Sequence, residues 1–134
     1  MVDRLVVLDG STFFVSGPSG DTEGREAEGF FHEDVRHLST WRLLLDGEPM
    51  RVLTSRSHRY YSASVYGTLT TARVGENPPV SIQRDRIVAD GVHEDVVVEN
   101  HSETRRTIGL ELRFGADFAD IFEVKDRTPK KGAA

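Results

Sequence analysis

Ile108-Gly109-Leu110-Glu111-Leu112-Arg113-Phe114, running directly into Gly115-Ala116-Asp117-Phe118-Ala119-Asp120-Ile121-Phe122-Glu123-Val124, decides the fold class. In the first half apolar side chains occupy every second position. Ile108, Leu110, Leu112 and Phe114 are expected to face a core, and Glu111 and Arg113 to face water, the pattern of a half-buried β-strand. In the second half the period changes. Phe118, Ile121 and Phe122 lie three and four apart, and Asp117 stands where a carboxylate would accept the free N–H groups of one helical turn. The expectation is a strand ending in a capped turn whose aromatics fold back on the sheet.

Working outward, the rest of the chain repeats the strand-like pattern. Three Asp-Gly pairs, Asp9-Gly10, Asp46-Gly47 and Asp90-Gly91, mark tight turns because both residues tolerate positive φ. Leu5 to Leu8 and Thr12 to Ser16 form a short hairpin. Leu38 to Leu45 is expected to pair back with Met50 to Ser55, and Val80 to Ala89 with Val92 to Glu99. The polar break Asn100-His101-Ser102-Glu103 then returns the chain into Arg105 to Phe114 as the third strand of a meander. Tyr60, Ser62, Ser64 and Tyr66 alternate with Tyr61, Ala63 and Val65 in a further strand, and Gly17 to Gly29 reads as a loop. No window of helical length keeps a 3.6-residue period. Seven to nine short strands imply an all-β antiparallel sandwich or sandwich-like barrel, with one short helical turn near 117–122.

Composition sets the outer bounds. The 134 residues suit one domain. Residues 1–124 are expected to form the sandwich, and 125–134, which lack an apolar anchor, a mobile tail or the start of a continuation. With no cysteine, disulfides and thiolate chemistry are excluded. A net charge of −5 weighs against nucleic acid, and Arg105-Arg106 and Lys130-Lys131 read as a solvated turn and a frayed tail. No segment is long and apolar enough to span a bilayer, so a cytoplasmic location is expected.

Candidate chemistry is sparse. Glu33 and Asp34 are adjacent and would point to opposite faces of an extended segment, unlike the two carboxyls of a glycosidase. Asp117 and Asp120 suit a cap and a first-turn acid. His32, Asp34 and His37 match no established metal spacing, and His58, His93 and His101 are scattered. No nucleophile elbow or phosphate-cradling glycine loop occurs. No catalytic residue, cofactor or metal is expected. Trp41, Tyr60 and Tyr61 would stack on sugar rings if exposed side by side, although core packing is the commoner fate of such residues.

Four blocks in register carry a resemblance: Gly29-Phe30-Phe31-His32-Glu33-Asp34-Val35-Arg36-His37-Leu38-Ser39, Leu43-Leu44-Leu45-Asp46-Gly47-Glu48-Pro49, Gln83-Arg84-Asp85-Arg86 with Gly91-Val92-His93-Glu94, and Gly115 to Val124. Together they resemble the N-terminal domain of bacterial glycogen debranching enzymes of the amylo-alpha-1,6-glucosidase type, over nearly the whole chain. The chain departs from the family's Phe-Arg-Asp-Thr-Arg run at Phe31 to Arg36, and has Lys125-Asp126 where Arg-Gly is usual. The resemblance implies a non-catalytic β-sandwich, with catalysis by carboxylates of a separate (α/α) toroid domain, the partner, and an α-glucan as substrate. It further implies a structural or interdomain role for Asp34 and Arg36, as a charged contact beside the core, and for Asp117, Phe118, Asp120, Phe122 and Glu123, as a turn packed on sheet or partner domain. If later strands of the sandwich are missing, an apolar face and a sheet edge lose their cover, and a homodimer or swapped assembly follows. The competing reading is an autonomous glucan-binding module with Trp41, Tyr60 and Tyr61 as its platform.

Overall fold

The computed structural model describes residues 4–24, 26–71 and 78–120. Twelve strands and no helix occur among them: β1 Leu5–Asp9, β2 Thr12–Ser16, β3 Thr22–Glu23, β4 Gly29–His32, β5 Val35–Leu38, β6 Thr40–Leu45, β7 Glu48–Pro49, β8 Arg51–Arg59, β9 Ser62–Thr68, β10 Val80–Val88, β11 Val92–Asn100 and β12 Leu110–Gly115. They form three antiparallel sheets, ordered β1-β2-β4-β5, β11-β10-β9-β8 and β12-β6-β3, with β7 beside β6. All three line one core. Leu5 and Val7 from β1, Phe14 from β2, Phe30 from β4, Leu45 from β6, Ala63 and Val65 from β9, and Val80, Ile82 and Val88 from β10 are buried together, with Met50 between them. The all-β, sandwich-like architecture expected from the alternation is the architecture found.

Local turn chemistry explains the hairpins. Asp46 and Gly47 take φ of 52° and 82° between β6 and β7, as a two-residue hairpin with both centres left-handed requires. Glu33 and Asp34, at φ 50° and 68°, make the same kind of turn between β4 and β5 without a glycine. The hairpin about Asp90-Gly91 also forms, pairing Val88 with Val92, but neither turn residue has positive φ.

Long-range partners differ from expectation in three places. Pairing after Asp46-Gly47 lasts two residues, Leu45 with Glu48 and Leu44 with Pro49. Pro49 has no N–H to extend the ladder, and from Arg51 the chain joins β9 in another sheet. The third strand of the expected meander, β12, pairs with β6 instead of β11. Asn100 bends the chain away by accepting hydrogen bonds from Ser102 and donating to Thr104 O at 2.8 Å. Asp46 then fastens the returning segment: its N–H reaches Gly109 O and its carboxylate accepts the Gly109 N–H, both at 2.8 Å. Finally, Leu110, Leu112 and Phe114 do not face a filled core. They are 55%, 44% and 68% exposed, because nothing among the described residues covers that face of β12.

The expected helical turn near 117–122 is replaced, over its described part, by an irregular turn. Asp117 Oδ1 accepts the Ala119 N–H at 3.2 Å and Phe118 adopts φ 52°. Ile121, Phe122, Glu123 and the expected tail lie outside the described residues.

Candidate functional site

Strand β10 alternates Val80, Ile82, Arg84, Arg86 and Val88 along its buried face, so its period places two guanidiniums inside the domain. The β10–β11 register sets Glu94 directly across from Arg86. Arg86 Nε and Nη2 reach Glu94 Oε1 at 2.7 and 2.5 Å, and Arg84 Nε reaches Oε2 at 2.9 Å. Asp21 from the loop before β3 completes the cluster, 2.6 Å from Arg84 Nη1 and accepting the Leu43 N–H at 3.1 Å. Ser19 O and Gly20 O accept from Arg84 and Arg86 at 2.9 and 2.6 Å, and the Arg86 guanidinium lies 4.0 Å over the Phe14 ring. The side chains of Arg84, Arg86 and Glu94 are 2%, 3% and 5% exposed. Burial pulls Arg86 down to about 10 against the opposing pull of Glu94, which leaves it charged at neutral pH. Burial alone would raise the Glu94 carboxyl, but the charges and hydrogen bonds of Arg86 and Arg84 outweigh it and hold that carboxyl below its ordinary value.

A second cluster ties the acidic-aromatic segment to the opposite sheet. Arg36 on β5 makes a two-pronged contact with Asp117, Nε to Oδ1 at 3.2 Å and Nη2 to Oδ2 at 2.5 Å. Its Nη1 donates to the carbonyls of Gly24, Glu26 and Glu28 at 3.3, 3.3 and 3.0 Å, closing the loop between β3 and β4. Gly29 makes room for this arm: at φ 140°, a Cβ there would lie 2.6 Å from both Arg36 Cδ and Leu38 O. Beneath it, Phe31 stacks on Phe13 at 4.7 Å and packs with Ala119, a satellite to the main core. The backbone joins too, through Arg36 N–H to Ala119 O at 2.8 Å and a bridge between Val35 and Asp120. Burial pushes the Asp117 carboxyl up, and the Arg36 hydrogen bonds, the Ala119 N–H and the Arg36 charge more than reverse that, so it sits below its ordinary value.

The aromatic candidates are not gathered. Tyr60 and Tyr61 occupy the β8–β9 turn with rings at 83° to each other, Tyr60 being 67% exposed. Trp41 lies on β6 in a different sheet, edge-on to Phe14 and tilted against Phe114. His32 and His37 do approach, with ring centroids 6.0 Å apart, and His37 meets the edge of the exposed Phe118. Thr12 engages His32 Nδ1 at 2.7 Å. Among the described residues no group of three or more His, Asp or Glu is placed to hold a metal ion. Ser64 stands between His58 Nε2 at 2.7 Å and Asp85 Oδ1 at 2.5 Å. A nucleophilic serine needs the histidine between itself and the carboxylate, and here the serine is central. The contact is a cross-strand tie.

A groove of about 300 Å³ opens among β6, β11 and β12, lined by Trp41, Leu43, Glu94, Val96, Leu110, Glu111 and Leu112. Glu94, at its floor, is already held by two arginines. The site is therefore a frame of two arginine clusters beside an open apolar face.

Residues 7–134 match the model of a family described as the N-terminal domain of some glycogen debranching enzymes. The chain belongs to this family. No curated protein matches it. Within this debranching-enzyme domain, the structure brings Arg36 and Asp117 together but places Asp34 in the exposed β4–β5 turn, so Arg36 takes its carboxylate from 81 residues away. Phe118 and Asp120 flank that contact, while Phe122 and Glu123 are outside the described residues. In the sequence Arg84, Arg86 and Glu94 stand out only as part of a block that carries the family resemblance, with no site role attached, and Asp21 does not stand out at all. Their signal was the i, i+2 spacing of two arginines within a Val-Ile-Val face, with Glu94 delivered opposite by the Asp90-Gly91 turn.

Proposed function

We propose that residues 1–124 of this debranching-enzyme domain act as a non-catalytic β-sandwich in a cytoplasmic glycogen debranching enzyme of the amylo-alpha-1,6-glucosidase type. A separate (α/α) toroid domain supplies the carboxylates that cleave the α-1,6 branch. One observation carries the reading. Among the described residues, Glu94 and Asp117 have a displaced titration, and both are held low by arginines. A glycosidase general acid must be held high, so that it still carries a proton near neutrality. Hydrolysis of a branched limit dextrin, assayed with the purified chain alone and with the intact enzyme, tests it: turnover by the isolated chain would sink the scaffold reading.

The exposure of Tyr60 favours, as a second reading, a glucan contact at the β8–β9 turn. Titration with maltooligosaccharides, repeated on Tyr60→Ala and Trp41→Ala, separates the two. A scaffold binds none of these sugars, whereas a binding module loses affinity with Tyr60. Self-association of the chain, expected from its uncovered apolar face, belongs to the same proposal.

A further inference from the structure

We propose that two copies of this domain associate through the free edge of β12, pairing antiparallel about Leu112. This deepens the self-association in the reading above by naming the surface and its register. β12 is the outermost strand of its sheet among the described residues, so one row of its backbone N–H and C=O groups is unmatched there.

Hydrogen-bond parity fixes which residues offer that row. Asp46 donates to Gly109 O, and the pair continues the register in which Leu110 faces Leu45 and Glu111 faces Leu44. Gly109, Glu111 and Arg113 thus turn their backbone groups to β6, and Leu110, Leu112 and Phe114 turn theirs outward. A two-fold axis through Leu112 brings those outward groups face to face. Leu112 pairs with Leu112 of the partner subunit, and Leu110 with Phe114 of the partner subunit.

The side chains select the same register. With the axis at Leu112, Glu111 stands opposite Arg113 of the partner subunit, and Arg113 opposite Glu111 of the partner subunit. An axis at Glu111 or Arg113 would set like charges against each other and meet the backbone with the wrong parity. Within one copy Arg113 Nε already holds Glu111 Oε2 at 2.5 Å, and across the axis the two such pairs stand side by side with opposite charges alternating, while Arg42 lies across from Arg113 on β6. The row of Leu110, Leu112 and Phe114 becomes continuous across the two copies, which extends the apolar wall of the groove. The two nine-residue edge strands of the β11-β10-β9-β8 sheet lack this self-complementarity: on β11 Glu94, Asp95 and Glu99 have only His93 as a possible counterpart, and on β8 Arg51, Arg56 and Arg59 have no acid.

Sedimentation equilibrium over a concentration series, combined with charge reversal, tests the pairing. The unaltered chain should dimerise. Glu111→Arg and Arg113→Glu should each weaken the dimer by about tenfold or more, since each reverses two cross-strand pairs, and the double exchange should restore it. Both side chains are about half exposed, so the fold tolerates the changes. Because the chain has no cysteine, single replacements report position cleanly. Leu112→Cys should cross-link on mild oxidation, its two Cα atoms lying about 5.5 Å apart, and Leu110→Cys should not. A monomer at all concentrations overturns the proposal. A dimer that ignores both reversals, that is not rescued by the exchange, or that cross-links through Leu110→Cys but not Leu112→Cys overturns this interface. The limit-dextrin assay is independent of these arms, so the scaffold reading stands or falls separately.

Discussion

Arg84 and Arg86 lie on a nine-residue strand and receive Glu94 from the next strand of the same hairpin, whereas Arg36 lies on a four-residue strand and receives Asp117 from 81 residues further on. The first cluster is buried between sheets, with only Glu94 and Asp21 reaching a surface groove or edge. The second is a clasp at the margin, with the Asp117 side chain 20% exposed. The difference teaches that the same ion chemistry serves two ends here: one cluster fills the space between two sheets with matched charge, and the other pins a loop and a turn to a sheet edge. A buried arginine pair around one carboxylate adds little over a good apolar core, yet breaking it is costly because it strands charge.

The comparison breaks most visibly at Glu94. Glu94→Gln should cost about 3–5 kcal/mol, read as a lowered urea midpoint, because two arginines remain buried with Asp21 as their nearest carboxylate. A loss below about 1 kcal/mol would mean that water reaches the cluster. Asp117→Asn should cost less, about 1.5–3 kcal/mol, since hydrogen bonds to a charged group are lost at a wetter site. Its distinguishing mark is faster amide exchange in the loop between β3 and β4.

Acid sharpens the contrast next. Glu94 and Asp117 are both lowered from ordinary values of 4.5 and 3.8, so the folded state binds fewer protons than the unfolded chain in that range. Their stabilisation is full above those values and is lost as pH falls through the folded ones. Stability should be flat from about pH 5.5 to about pH 8 and decline below about pH 4.5, and Asp117→Asn should remove the share of that decline that belongs to Asp117. At the small end, Arg4→Ala removes an exposed pair with Glu26 and should change the midpoint by under about 0.5 kcal/mol.

Strands and hairpins were legible in the sequence because turn residues and period-two alternation act locally. Leu5 to Ser16 and Val80 to Asn100 fold as read. Partner choice was not legible, since alternation says which face a residue takes and not which strand lies beside it. Leu110, Leu112 and Phe114 read as core, and β12 went to β6 because Asp46 holds Gly109, a contact no spacing announces. Arg36 was legible as a fixed charge; its carboxylate was not, because Asp34, two residues away, is spent on a left-handed turn position.

The clasp also bears on the order of events in folding. Hairpins β1–β2, β8–β9 and β10–β11 close over short spans, but Arg36 and Asp117 meet only after a long stretch of chain has been brought together, which is a slow closure. A contact of that kind is expected to form after the rate-limiting crossing, and would then set how long the folded domain survives rather than how quickly it forms. Asp117→Asn should therefore raise the unfolding rate by a similar factor at every denaturant concentration while leaving the refolding arm nearly unmoved, and the clasp acts as a latch on lifetime.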